Sequence, residues 1–349
     1  MAVTCKSKAS ASSQLGVILR QIQAYAQSWP VTGSFRIARS SLTAIEVVKV
    51  TICDAGHTGV GECRPYARYN ETPQSVLAQI EDVRPAIEAG SSTDALQSLM
   101  PAGAARNAVD CALWDLAAKQ QGKPAAQLLG LPAPTPLRTA FTLSVDTPAN
   151  MAKAALAASD YALLKMKIKD LSGLEAAHAV LRVRPDAELI IDANEALVPR
   201  DLPAFQSALA DLPVLMIEQP VAASAAGSAP IDPARLPIIC ADESLHGRDD
   251  LKALWDLGYR AVNIKLDKCG GLTEGLQLME AAKDMGFIIM AGCMVGTSLA
   301  MAPMLHLAGM ADVVDLDGPA LLASDCRYGL VYENGKVGAP DPRLWGGAA

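Results

Sequence analysis

The chain has 349 residues, 51% of them apolar and 19% charged, with a formal net charge of −7. That much apolar sequence can bury one large core or two ordinary ones, and the acidic balance argues against a nucleic-acid partner. No run of about 18 apolar residues is present, so no membrane-spanning helix is expected; eight scattered cysteines without a C-x-x-C pair read as buried residues of a reducing, cytoplasmic compartment.

The first 20 residues are polar and rich in Ser and Ala, and a disordered tail is expected there. Residues 21–55 predict two strands of an antiparallel meander, with residues 28–41 as a loop carrying Arg36 and Arg39. A third strand begins at Gly59-Val60-Gly61-Glu62-Cys63, and residues 64–71 form a polar, tyrosine-containing loop. Thr72-Pro73 opens a helix running to about residue 90, since Thr caps well and Pro suits the first helical position. Within residues 101–130, Ala105, Val109, Ala112, Leu113, Leu116 and Ala117 recur at helical spacing, and Gly122 and Gly130 mark two stops. Pro132, Pro134 and Pro136 make a stiff linker, so residues 21–133 are expected to form an α+β domain.

Beyond the linker the pattern changes. Apolar runs lie near residues 140, 164, 190, 216, 239, 263, 289 and 314, with helical segments between them. The repeat is the length of one strand, one helix and two loops, and eight such units close a parallel (β/α)8 barrel, here residues 134–317. Residues 318–349 have too few apolar runs for a domain and are expected to return to the first one.

Charged residues end several of these strands. Lys165 and Lys167 close the second, Asp192 the third, Glu218 the fourth, Asp242 the fifth, Lys265 the sixth and Asp315 the eighth. The steps from Lys167 to Lys265 are 25, 26, 24 and 23 residues. Strand ends of a barrel converge on one mouth, so these groups should ring one pocket. Any one of them alone reads as a solvated strand end or a helix cap. Three carboxylates in register would repel unless a cation sat among them, and oxygen donors without His or Cys favour Mg²⁺. Lysines on the second and sixth strands would flank that ion. Two ammonium groups on one strand face also repel, which eases a proton off one of them. Such a site could take an α-proton from a carboxylate substrate on one face and return it on the other, through an enediolate, inverting the centre.

The segments Lys165-Met166-Lys167, Asp192-Ala193-Asn194, Glu218-Gln219-Pro220, Asp242-Glu243-Ser244 and Asn263-Ile264-Lys265 with Gly270-Gly271 resemble the enolase superfamily, muconate-lactonizing subgroup. The helical stretch from Ala105-Arg106-Asn107 to Leu128-Leu129-Gly130 resembles that family's capping domain. The resemblance implies Mg²⁺ at Asp192, Glu218 and Asp242, acid/base roles for Lys167 and Lys265, and a supporting charge at Lys165. Asp315-Leu316-Asp317 looks like the Asp-x-Asp with which dipeptide epimerases hold a substrate ammonium, as two acids one residue apart point the same way. Phe35-Arg36-Ile37-Ala38-Arg39 and the segment from Glu62 to Tyr69 resemble epimerases of the L-Ala-D/L-Glu type, which act on murein peptides. Arg39 would meet the glutamate side chain. Met294 and Thr297 are expected to line the pocket, with Cys293 as a small filler.

The resulting expectation is an isomerase, a Mg²⁺-dependent dipeptide epimerase with a small-molecule substrate and a homo-oligomeric assembly. Other reactions of the subgroup remain open: epimerisation of other dipeptides, N-acyl amino acid racemisation, muconate cycloisomerisation and o-succinylbenzoate synthesis. A Schiff-base aldolase using Lys265 leaves the three carboxylates unexplained. A non-catalytic binding protein on the same barrel would not need the two lysines.

Overall fold

The computed structural model describes residues 20–37, 40–229 and 231–348. Residues 1–19 of the expected tail and Arg39 therefore lie outside the described residues, while Arg20, the last residue of that tail, is held by Asp54 at 3.1 Å.

The chain opens with β1 (Gln21–Ile37), β2 (Ser40–Asp54) and β3 (His57–Cys63), an antiparallel sheet in the order β1-β2-β3. The expected loop over residues 28–41 is corrected: β1 and β2 stay paired through it, from Gln21↔Cys53 to Ile37↔Ser40, with one register shift between Pro30 and Phe35. Ser, Pro and Gly in this stretch signal a turn, but burial overrides them. Val31, Ile45 and Val47 pack with Val295 and Leu322 in a small core, flanked by Trp29, Phe35 and Leu42. The Pro30 carbonyl accepts from the Ala323 amide at 2.9 Å, so the far chain braces the hairpin.

Helices α1 (Pro73–Glu88), α2 (Thr93–Leu99), α3 (Ala104–Gln121) and α4 (Ala125–Leu128) follow. Thr72 caps α1 as expected, its hydroxyl accepting from the Ser75 amide at 3.1 Å. Helix α3 is buried on nearly all sides, including Arg106, Asn107, Asp110 and Asp115. It lies between the cap sheet and the barrel. Its polar residues bond to backbone on both: Arg106 to the Gly270 and Cys269 carbonyls at 3.0 and 2.6 Å, Asp110 to the Thr273 amide at 2.9 Å, and Asp115 to the Val60 amide at 2.9 Å. This also explains Gly270-Gly271. Both have positive φ, and a Cβ there would sit 2.4 Å from Arg106 Nε and 2.6 Å from Asp110 Cβ.

After β4 (Leu137–Arg138) come the eight barrel strands: β5 (Phe141–Leu143), β6 (Leu163–Lys167), β7 (Glu188–Asp192), β8 (Val214–Glu218), β9 (Ile238–Ala241), β10 (Ala261–Ile264), β11 (Ile288–Gly292) and β12 (Val313–Asp315). They are ordered in sequence and parallel, and the Ala140 amide donating to the Val314 carbonyl at 2.8 Å brings the two edges together. The crossovers carry α5 (Pro148–Ala157), α6 (Gly173–Val183), α7 (Leu202–Ala208), α8 (Arg248–Asp256), α9 (Leu266–Cys269), α10 (Leu272–Asp284) and α11 (Ser298–Leu307), while the one after β8 is a 3₁₀ turn over Ala223–Ser228. The chain ends with β13 (Tyr332–Glu333) and β14 (Lys336–Val337), which pairs with β4. Trp345 then donates to the Cys111 carbonyl at 3.1 Å and the Gly346 carbonyl accepts from the Ala125 amide at 2.8 Å, fastening the last turn to α3 and α4.

Inside the barrel, Ala140, Leu163, Ile190, Met216, Cys240, Ala261 and Met290 form one apolar layer. Side chains alternate along a strand, so the residues two positions further on face the same interior, nearer the C-terminal mouth. Those are Thr142, Lys165, Asp192, Glu218, Asp242, Asn263 and Gly292.

Packing of β3 on α3 gives a first prediction. A Cβ on Gly61 would lie 2.1 Å from the Ala108 carbonyl oxygen. Gly61→Ala should cost about 2 kcal/mol or more, read as a lower urea midpoint at unchanged slope. Gly227→Ala, where a Cβ meets nothing within 4 Å, should change the midpoint little.

Candidate active site

Each polar member of the mouth layer is fixed by the strand that carries it or that it directly follows. Lys167 is in register with Asp192, and Asp192 with Glu218. Lys165, 2% exposed, holds the centre: its ammonium lies 2.7 Å from Asp315 Oδ2, 2.7 Å from Glu218 Oε2 and 3.1 Å from Asp192 Oδ2. Lys167 donates to Asp192 Oδ2 at 2.5 Å, and across the mouth Lys265 donates to Asp242 Oδ2 at 2.6 Å. Glu218 accepts from Asn263 Nδ2 at 2.7 Å. Its other oxygen is close to Lys165 but makes no hydrogen bond of good geometry.

The electrostatics follow from burial. Burial and the charge of Asp192 raise the Glu218 carboxyl, whereas Lys167 and Lys165 overcome burial and pull Asp192 down. Asp242 is pulled far down in the same way by Lys265 and Lys268. Burial lowers the Lys165 and Lys265 ammonium groups, but the carboxylates win and hold both well above the ordinary range. Of the two strand lysines expected to ease a proton off one another, Lys165 is the one that holds its own.

Asp315 and Asp317 are both 3% exposed. Asp315 faces Lys165, and its Oδ1 has no hydrogen-bond partner; Asp317 accepts from the Thr142 amide at 2.6 Å. Burial and then Asp315 raise the Asp317 carboxyl. Met294 lines the pocket along with Cys293, Lys167, Asp242, Lys265 and, from the cap, Phe35, Arg64, Tyr66 and Tyr69. Thr297 is a correction. It is fully buried and takes Glu62 at both ends, its amide to Oε1 at 2.9 Å and its hydroxyl to Oε2 at 2.8 Å, so it ties cap to barrel and does not line the pocket. Arg36, from the same expected loop as Arg39, is turned to Val145 and Asp146.

Sequence reasoning missed Lys268. It donates to Asp242 Oδ1 at 2.6 Å and to the Asn263 carbonyl at 3.0 Å. The available signal was its place three residues after Lys265, one helical turn on, and the single turn of α9 folds it back under the site.

Two family models match the chain: "Mandelate racemase / muconate lactonizing enzyme, N-terminal domain" over residues 19–130 and "Enolase C-terminal domain-like" over residues 148–343. The L-Ala-D/L-Glu epimerase of Escherichia coli K12 is 45% identical over 323 residues, which span 91% of this chain and 99% of that protein.

This chain belongs to the enolase superfamily.

It is an enzyme, an isomerase of that superfamily. An enolase-family protein from Agrobacterium tumefaciens, solved with sodium and L-Ala-L-Glu, superposes with a TM-score of 0.89 at 45% identity, covering 94% of this chain and 100% of that one. A dipeptide epimerase from Methylococcus capsulatus, solved with Mg and L-Arg-D-Lys, gives 0.84 at 29% identity, with 93% and 98% covered.

The cap closes over the barrel mouth, and buried carboxylates fasten it. Glu62 reaches Thr297, Asp110 reaches Thr273, and Asp267 takes the Arg64 amide at 3.0 Å and Asn107 Nδ2 at 2.9 Å. Burial pushes Glu62 and Asp267 up to about 7 and Asp110 to about 6, against the hydrogen bonds they accept. Such an acid keeps its proton longer in the folded state than in the unfolded one, so its contribution to stability falls as pH rises from its unfolded value towards its folded one. Between pH 5 and 7 the wild type should lose stability relative to Glu62→Gln by on the order of 1 kcal/mol or more. Urea unfolding of both proteins across that range checks this; parallel curves would contradict it.

Proposed function

We propose that this enzyme epimerises dipeptides of the L-Ala-D/L-Glu type at the α-carbon of the second residue, by proton transfer between Lys167 and Lys265, with Mg²⁺ as its ion. The observation that carries the reading is the pair itself. Lysines from the second and sixth barrel strands reach one pocket from two sides, each on its own strand-end carboxylate.

The donor set fits a hard divalent ion. Asp192, Glu218 and Asp242 supply only oxygens, are at most 3% exposed, and lie at the C-terminal ends of consecutive strands, Asp242 one residue beyond β9. Among the described residues no three His, Cys, Asp or Glu side chains are drawn into a closed cage, because Lys165 bridges Asp192 and Glu218 while Asp242 turns to Lys265 and Lys268. Positive charge thus already collects where the carboxylate oxygens converge. When bound there, the ion would supply charge that stabilises the negative charge developing on the substrate carboxylate as the α-proton leaves.

The protein's own groups supply the rest. One of Lys167 and Lys265 takes the proton as a neutral amine while the other, as ammonium, returns it from the opposite face. Lys165 keeps its proton among three carboxylates and holds a fixed charge beside Lys167. Asp315 and Asp317 offer the substrate ammonium two carboxylates in a nearly dry setting. An N-acyl amino acid, muconate or succinylbenzoate has no ammonium to meet them, which sets the dipeptide reading above the other reactions of the subgroup. In the cell this activity would serve murein peptide recycling in the cytoplasm.

Incubation with L-Ala-L-Glu, Mg²⁺ and D₂O should place deuterium at the glutamate α-carbon, and chelation of the metal should abolish it; absence of exchange with the ion present would reject the substrate. Lys167→Ala and Lys265→Ala should each lower epimerisation by about 10³-fold or more. Each should still exchange the α-proton of one epimer, and not the same one. NMR of L-Ala-L-Glu and L-Ala-D-Glu in D₂O separates this from a single-base mechanism, in which one variant would remain active on both.

A further inference from the structure

Asp242 stands apart from the other two strand-end acids. Asp192 and Glu218 lie within the ladder, paired with each other, and Glu218 is paired with Cys240. Asp242 lies one residue past β9, and the pairing of β9 stops at Cys240 on the β8 side and at Ala241 on the β10 side. Its buried amide still needs an acceptor.

Gln219 supplies one. This residue follows Glu218, is fully buried, and turns the chain at a φ of +32° ahead of Pro220. There β8 leaves the ladder, and the side chain takes the place of the backbone that has turned away. Oε1 accepts from the Asp242 amide at 2.9 Å and from the Ser244 amide at 3.1 Å. Nε2 donates to the Val221 carbonyl at 2.9 Å and to the Ser244 hydroxyl at 2.8 Å. A carboxamide has two acceptor and two donor positions, and all are filled, so this one sits in a single orientation. The backbone of Gln219 is used as well. Its amide donates to the Cys240 carbonyl at 2.8 Å, and its carbonyl accepts from the amide of Glu195, in the loop after Asp192, at 2.8 Å. One residue thus ties together the segments that carry Asp192, Glu218 and Asp242. A left-handed backbone outside glycine persists only where its surroundings over-determine it, and these bonds do so.

We propose that Gln219 is a positioning residue that fixes the spacing of the three carboxylates and so makes the site discriminate Mg²⁺ from the larger Ca²⁺; this rests on the ion reading above. Mg²⁺ demands near-octahedral oxygens at short range, whereas Ca²⁺ accepts a larger and more variable set. A loosened segment therefore costs Mg²⁺ more than Ca²⁺. Lys165, Lys265, Lys268 and Asn263 bond the carboxylate oxygens themselves, which an ion would also use. The Gln219 side chain bonds backbone and the Ser244 hydroxyl and does not compete for those oxygens.

The test is equilibrium dialysis of the chelator-stripped protein against Mg²⁺ or Ca²⁺ alone, for wild type, Gln219→Met and Ser244→Ala. Gln219→Met keeps the length of the side chain without its amide, and should weaken Mg²⁺ by about 10- to 100-fold but Ca²⁺ by less than about threefold. Ser244→Ala removes one of the four side-chain bonds and keeps the glutamine. It should weaken Mg²⁺ alone by about threefold, and it decides the matter if Gln219→Met does not fold. Equal losses for both ions, as a merely loosened fold would give, or none for either, would overturn the assignment while leaving the ion site in place. A wild type that binds no Mg²⁺ would overturn that site and this assignment with it.

Discussion

Three carboxylates from three strands meet one ammonium ion, Lys165, inside a barrel that admits almost no water. Asp192, Glu218 and Asp315 are 0 to 3% exposed, and each lies within 3.1 Å of its nitrogen. Charges buried this deeply persist only when they neutralise one another. The rest of the site follows from that constraint. Lys167 shares Asp192, Lys265 and Lys268 share Asp242, and Asn263 takes the Glu218 oxygen turned away from the lysine. Five carboxylates, counting Asp317, face four ammonium groups, and an incoming anionic substrate would widen that deficit of positive charge. A divalent ion among the strand-end oxygens, as proposed above, would answer it.

The cap serves the same end by keeping water out. Helix α3 is buried on almost every side because it is held between two structures, and its charged residues bond to backbone on both. Glycines make the contact possible where backbone and side chain approach closely: Gly61 under Ala108, and Gly270 and Gly271 under Arg106 and Asp110. The Gly-Gly pair that marks the family in sequence is thus a packing requirement between cap and barrel, placed directly after the single turn of α9.

Much of this architecture is legible in the sequence because the barrel repeats. The spacing of about 25 residues locates the eight strands and the polar residues that close several of them, since strand period and barrel closure leave little freedom in where those side chains point. What is not legible depends on contacts between distant segments. The hairpin over residues 28–41 contains turn-forming residues, yet it pairs because Val295 and Leu322, far along the chain, cover its apolar face. Thr297 has the right position for a pocket residue and is diverted by Glu62, a carboxylate 235 positions earlier. Lys268 escapes notice because a one-turn helix carries no amphipathic pattern of its own.

The most direct test of the central claim is a crystal structure with Mg²⁺ and L-Ala-D-Glu. The account predicts a single ion among Asp192, Glu218 and Asp242, with the Lys167 and Lys265 nitrogens on opposite faces of the glutamate α-carbon. Both nitrogens on one face of that carbon, or an ion held without these three carboxylates, would contradict it.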